Sequence, residues 1–156
     1  MTLLDEVEQN RKTIRTDGYP MSIGELATLY RDGELDLHPE FQRYFRWTEE
    51  QKATHIESLL LGIPIPSIFV YQRKDGIWDV VDGLQRISSV FQAMGILKDK
   101  DGALIQPLQF TGTKYLPSLD GKSWGANEAD PNGIGGQLQR ILKRSKLDIK
   151  LSLIHI

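Results

Sequence analysis

The residues Asp82-Gly83-Leu84-Gln85-Arg86 put a carboxylate, a glycine, an amide and a guanidinium within five positions. That set could bind and process a phosphorylated ligand. Arg86 is a permanently charged, bidentate donor suited to phosphate. Asp82 could hold Mg²⁺, directly or through water, or orient an attacking water. Gln85 could position a water or meet a phosphate oxygen, and Ser88 adds a hydroxyl one turn on. Each also has a plainer reading: Asp82 as a helix cap, Gln85 and Arg86 as a solvated helix face.

The elements around this stretch decide whether those groups converge. Trp78, Val80 and Val81 favour a strand. Ile87, Val90, Phe91 and Met94 fall at i, i+3, i+4 and i+7, one apolar face of a helix. Gly83 therefore sits where a strand ends and a helix begins, in a backbone conformation that glycine adopts most readily. The first turn of a helix offers unpaired N–H groups and partial positive charge, a natural seat for phosphate. No Gly-x-x-x-x-Gly-Lys-Ser/Thr segment is present, so nucleotide chemistry would have to use this turn.

Upstream, Ser22 with Glu25 forms a capping box before a helix through Ile23, Leu26 and Tyr30 that Gly33 ends. Glu34 to Leu37 alternates as a short strand. His38 to Trp47 is a loop rich in arginine and aromatic residues, which can clamp a ligand or simply pack. His38 reads as a structural hydrogen-bonder. Thr48 and Gln51 cap the next helix, which carries Ala53, Ile56, Leu59 and Leu60 inward and stops at Gly62. His55 falls on its polar side and is expected to face solvent. Ser67–Gln72 and Ile77–Asp82, joined by Asp75-Gly76, predict a hairpin.

Downstream, Gln106–Phe110 is expected to be a strand, Tyr115–Gly121 a loop or short helix, and Asn127–Gly136 mobile. A basic helix over Gln137–Lys146 should turn Leu138, Ile141 and Leu142 inward; Arg140, Lys143, Arg144 and Lys146 could touch DNA phosphates, but a solvated face is the preferred reading. Leu147–Lys150 alternates as a strand start.

The totals bound the class. A chain of 156 residues can bury about 68–70% of its surface, enough for one domain with a real core. A net charge of −2 argues against a broad nucleic-acid surface, though not against a local basic pocket. The absence of cysteine excludes disulfides, thiolate metal sites and a thiol nucleophile. No apolar run could span a bilayer, and the early acids do not read as a signal peptide. A cytoplasmic location without a membrane partner is expected. Residues 1–19 read as an arm and 20–150 as the domain, truncated at its C-terminal side. Residues 151–156 resemble a translated transposon end from library preparation and are expected to be non-native; otherwise they form an ordinary terminal strand.

The ordered blocks Pro39-Glu40-Phe41-Gln42-Arg43, Trp47, Ile56–Pro66, a hairpin and Val81-Asp82-Gly83-Leu84-Gln85-Arg86-Ile87 resemble the N-terminal domain of GmrSD-type modification-dependent restriction endonucleases. The similarity is close over residues 20–97 and looser over 137–150. It implies a mixed α/β fold of the ParB/sulfiredoxin-like kind, a small sheet with packed helices. It also implies binding and hydrolysis of a nucleoside triphosphate, with Mg²⁺, coupled to DNA cleavage. Catalysis would rest on Asp82, Gln85 and Arg86, nucleotide binding on Gln42, Arg43, Gly83, Arg86 and Ser88, and metal binding on Asp82. Leu84 replaces the family's usual first glutamine, and a leucine there cannot hydrogen-bond substrate. DNA is the implied partner. A C-terminal His-Asn-His-type nuclease domain would do the cutting, and a homo-oligomer is possible. The competing expectation is a non-catalytic DNA-binding or regulatory module on the same scaffold. Direct nuclease activity is disfavoured by the few acids near the motif.

Overall fold

A computed structural model describes residues 1–13, 16–39, 46–125 and 131–152. The architecture is mixed α/β. Helix α1 (Leu3–Thr13) leads into β1 (Thr16–Ser22), α2 (Ile23–Arg31) and the short β2 (Leu35–Asp36). Then come α3 (Glu49–Leu61), the hairpin β3 (Ile68–Gln72) and β4 (Trp78–Asp82), and α4 (Leu84–Ala93). A 3-10 turn at Pro117–Leu119 precedes α5 (Gly136–Arg144) and β5 (Lys146–Ser152). The strands form one sheet in the order β1-β5-β3-β4-β2. The β1–β5 and β3–β4 pairs are antiparallel; β3–β5 and β2–β4 are parallel.

Local signals account for several boundaries. The hydroxyl of Ser22 accepts from the Glu25 N–H, while Glu25 Oε1 accepts from the Ser22 N–H. Thr48 and Gln51 repeat the arrangement at α3. Gly62 ends α3 in the left-handed conformation at φ 73°. The core lies between sheet and helices: Ile68, Val70, Leu147 and Ile149 from the strands meet Leu26, Ile56, Phe91 and Leu142 from α2 to α5. Among the described residues no helix is long and apolar enough to cross a membrane.

Four expectations are corrected. The segment read as an arm over residues 1–19 runs into β1, whose Thr-Asp-Gly-Tyr-Pro-Met-Ser has no strand pattern of its own; pairing along β5 makes it a strand. Pro20 is tolerated because β1 is an edge. Gln106–Phe110 is not a strand. It buries Leu108 and Phe110, but its backbone bonds go to Gln92, Lys122 and Gly121 in single contacts rather than a ladder. On α5, Leu142 is buried with Gln139, whereas Leu138 and Ile141 are exposed, because Trp124 accepts from the Gln139 amide and turns that side inward. His55 is the fourth. It is buried between α3 and α4, because the Trp47 ring closes over it at 5.4 Å. Leu151 and Ser152 continue β5, opposite Asp17 and Thr16.

Candidate functional site

The junction of β4 and α4 is built around Gly83. It caps α4 at φ 95°, with no side-chain cap hydrogen bond. A Cβ here would lie 2.4 Å from Ile68 Cδ1 and 3.0 Å from Arg86 Nη2. The glycine therefore leaves room for the guanidinium to fold back beside the chain. Arg86 Nη2 donates to the Ser67 carbonyl at 2.8 Å, at the start of β3. The same nitrogen is 4.0 Å from Asp82 Oδ2. Arg86 is mostly buried, and its Nε has no hydrogen-bond partner among the described residues. Asp82 is largely exposed, so its carboxylate is not the helix cap. Leu84 packs against the core.

Successive turns of α4 carry Gln85, Ser88, Ser89 and Gln92 to a different face. With Arg46 and Lys52 these side chains line a cavity of about 320 Å³. Gln85 Oε1 accepts from the Trp47 N–H at 3.1 Å, tying α4 to the segment that enters α3. Lys52 Nζ donates to Gln92 Oε1 at 2.8 Å and is 3.4 Å from Glu49 Oε1. The Ser89 hydroxyl donates to the Gln85 carbonyl. The Ser88 hydroxyl is buried and unpartnered.

The structure thus sorts the residues singled out by sequence. Gln85 and Ser88 share the cavity. Asp82, Gly83 and Arg86 form the neighbouring turn, and Arg86 is directed to Ser67 rather than into the cavity. Gln42 and Arg43 lie outside the described residues. Sequence reasoning missed Lys52. Four residues after a cap it reads as an ordinary exposed lysine, and only the packing of α3 on α4 shows that it is largely buried.

Behind the turn, His55 presents an unpartnered Nε2. Burial, and then the positive charge of Arg86, lower its pKa to about 4, while a hydrogen bond with the Arg86 backbone opposes the shift. The ring is therefore neutral near pH 7. Glu57, also buried on α3, accepts from the N–H groups of Tyr115 and Leu116. A hydrogen bond from Thr113 leads the causes that hold its carboxyl below the usual range.

Asp36, His38 and Asp79 bring possible metal-ligating atoms within 4.8 Å of one another. Arg73 already lies 3.3 Å from Asp36 and 3.4 Å from Asp79, so a cation would compete with a guanidinium. His38 Nε2 is 3.1 Å from Asp79 Oδ1, which fits its reading as a structural hydrogen-bonder. Asp82 is outside this group. Asp82 is a single exposed carboxylate 4.0 Å from Arg86 Nη2 and by itself makes no all-protein cage for a cation.

Fold and cavity together define a mixed α/β domain with a donor-lined cleft beside a strand–glycine–helix junction. The profile of the family described as GmrSD restriction endonuclease, N-terminal domain, matches residues 23–149, and the chain belongs to that family. No curated protein and no solved structure matches it at a significant level.

Proposed function

We propose that this chain is the nucleotide-binding, NTP-hydrolysing domain of a DNA-targeting, modification-dependent restriction endonuclease. One observation carries the reading beyond family membership: Arg46, Lys52, Gln85 and Ser88 line a single cavity along α4. Cations, an amide and a hydroxyl suit the oxygens of a phosphate chain. The Asp82-Gly83 turn leads directly into the helix that carries Gln85 and Ser88, and Arg86 holds that turn against β3. Bound Mg²⁺ would offset phosphate charge, with Asp82 as its protein ligand. Gln85, fixed through the Trp47 N–H, would orient the attacking water. The cutting of DNA would belong to a separate His-Asn-His-type nuclease domain in the full-length, cytoplasmic protein.

A second reading is favoured by α5, whose Arg140, Lys143 and Arg144 are all exposed. Those cations suit DNA phosphates, and the domain would then be a non-catalytic DNA-binding or regulatory module.

The discriminating experiment is binding of the four ribonucleoside triphosphates, and phosphate release, with and without Mg²⁺, alongside DNA retention. Binding and turnover support the nucleotide reading. DNA retention by the folded chain with no nucleotide bound would sink it in favour of the second.

A further inference from the structure

We infer that Lys52 is the principal phosphate ligand of this domain, acting with Arg46 and the Ser88 hydroxyl on the triphosphate chain of the nucleotide. The inference rests on the nucleotide reading above and names the side chains that carry it. It shifts the main electrostatic contact from the Asp82–Arg86 turn to the facing helix.

The argument begins with unused donors. An ammonium has three N–H groups. Lys52 gives one to Gln92 Oε1 at 2.8 Å and faces Glu49 Oε1 at 3.4 Å. The remaining one has no partner among the described residues. The Lys52 side chain is only 14% exposed, so its charge is partly desolvated. A nearby anion is screened less by water there than at an exposed lysine. Gln92 is itself fixed, because its amide nitrogen donates to the Gln106 carbonyl. The ammonium is therefore held in place before any ligand arrives.

Ser88 supplies an independent observation. Its residue is 6% exposed, it lines the same cavity, and its Oγ has no partner among the described residues. Buried hydroxyls are normally paired, and a ligand oxygen in the cavity would satisfy this one. Arg46 adds an exposed guanidinium to the lining. Gln85 spends its amide oxygen on the Trp47 N–H, which leaves its NH₂ as a further donor.

The acids nearby do not cancel this set. Asp99 also lines the cavity, but its Oδ1 accepts from the N–H groups of Asp101 and Ala103. Glu49 is more than half exposed. Pro39, Leu97 and Ile105 add apolar surface to the lining. Several donors, two cations and an engaged carboxylate favour a multi-oxygen anion. The volume of about 320 Å³ is at the small end of ligand sites, roughly 300–1,000 Å³.

Arg86 then acts as a positioning residue. Its Nη2 is committed to the Ser67 carbonyl and its guanidinium packs over Gly83. Both contacts fix the start of the helix that carries Gln85 and Ser88.

The test uses the whole chain, with the four ribonucleoside triphosphates and inorganic triphosphate as separate titrants. Lys52→Met should weaken both kinds of ligand by at least about tenfold, the scale expected for losing a charged hydrogen bond. Lys74→Met, which removes an exposed lysine from the turn between β3 and β4, should leave both unchanged. Ser88→Ala should weaken both several-fold. On the unchanged chain, inorganic triphosphate should protect Lys52 but not Lys74 from acetylation, which settles the matter if Lys52→Met fails to fold. Unaltered binding by folded Lys52→Met, or acetylation of Lys52 at the same rate with triphosphate bound, would overturn the inference while leaving the nucleotide reading intact. Lys52-dependent binding of inorganic triphosphate with no nucleotide bound would uphold the anion site and overturn the nucleotide reading. A chain that binds neither overturns both.

Discussion

The guanidinium of Arg86 donates to the main-chain carbonyl of Ser67 at 2.8 Å, so the first turn of α4 is tied to the first residues of the hairpin. The tie passes directly over Gly83, where any Cβ would intrude. The motif that looks in sequence like a set of ligand-binding groups is thus also a structural clasp. Its polar residues divide between holding the turn and facing the cavity.

Gly83→Ala should cost about 2–4 kcal/mol, combining left-handed strain with overpacking. The added methyl would meet Ile68 Cδ1, the nearest atom. Ile68→Val removes that atom, so the double variant should recover part of the loss. Urea denaturation of the three variants checks both points, and a cost below about 0.5 kcal/mol for Gly83→Ala would contradict the geometry.

Arg86→Ala should destabilise the fold by about 1.5–3 kcal/mol, the usual scale for a hydrogen bond made by a charged group. Amide exchange should rise at the start of α4 and around Ser67 before it rises in α5. Uniform exchange across the chain would show that the clasp is not local.

His55 makes stability pH-dependent. Its pKa is about 4 in the folded chain, against a reference value of 6.5. Between these values the unfolded chain binds the proton and the folded chain does not. The contribution is therefore fully present above pH 6.5 and is lost as pH falls toward 4, by roughly 3 kcal/mol at most. Glu57, whose carboxyl is held below the usual range first by the Thr113 hydrogen bond, also loses stabilisation on acidification. The informative comparison is His55→Gln, whose stability should fall less steeply over the same window. An unchanged slope would mean that His55 is not held neutral.

On α5, Leu142→Ala should cost about 2–5 kcal/mol, because the side chain is completely buried. Ile141→Ala, at an exposed neighbour, should stay within about 0.5 kcal/mol. Thermal denaturation of the pair gives the answer, and equal losses would mean that the helix presents a different face.

The strongest local signals carried furthest. Two capping boxes, the Asp75-Gly76 turn, the apolar face of α4 and the glycine before it are all readable in sequence, because each depends on residues within a turn or two of one another. The same locality made the Asp82–Ser88 stretch stand out, and the ordered blocks around it were enough to name the family.

Other features exist only through contacts between distant segments. β1 is a strand because β5 lies beside it, more than a hundred residues later. His55 is buried because Trp47 and Arg86 close around it, although helical periodicity alone put it on a polar face. Lys52 becomes a held ammonium because Gln92 lies across the α3–α4 interface. The sequence by itself determined the helices, the hairpin, the glycine junction and the family. Tertiary structure decided which polar groups lost their water and which of them share a cavity, because burial and donor geometry depend on residues that only folding brings together.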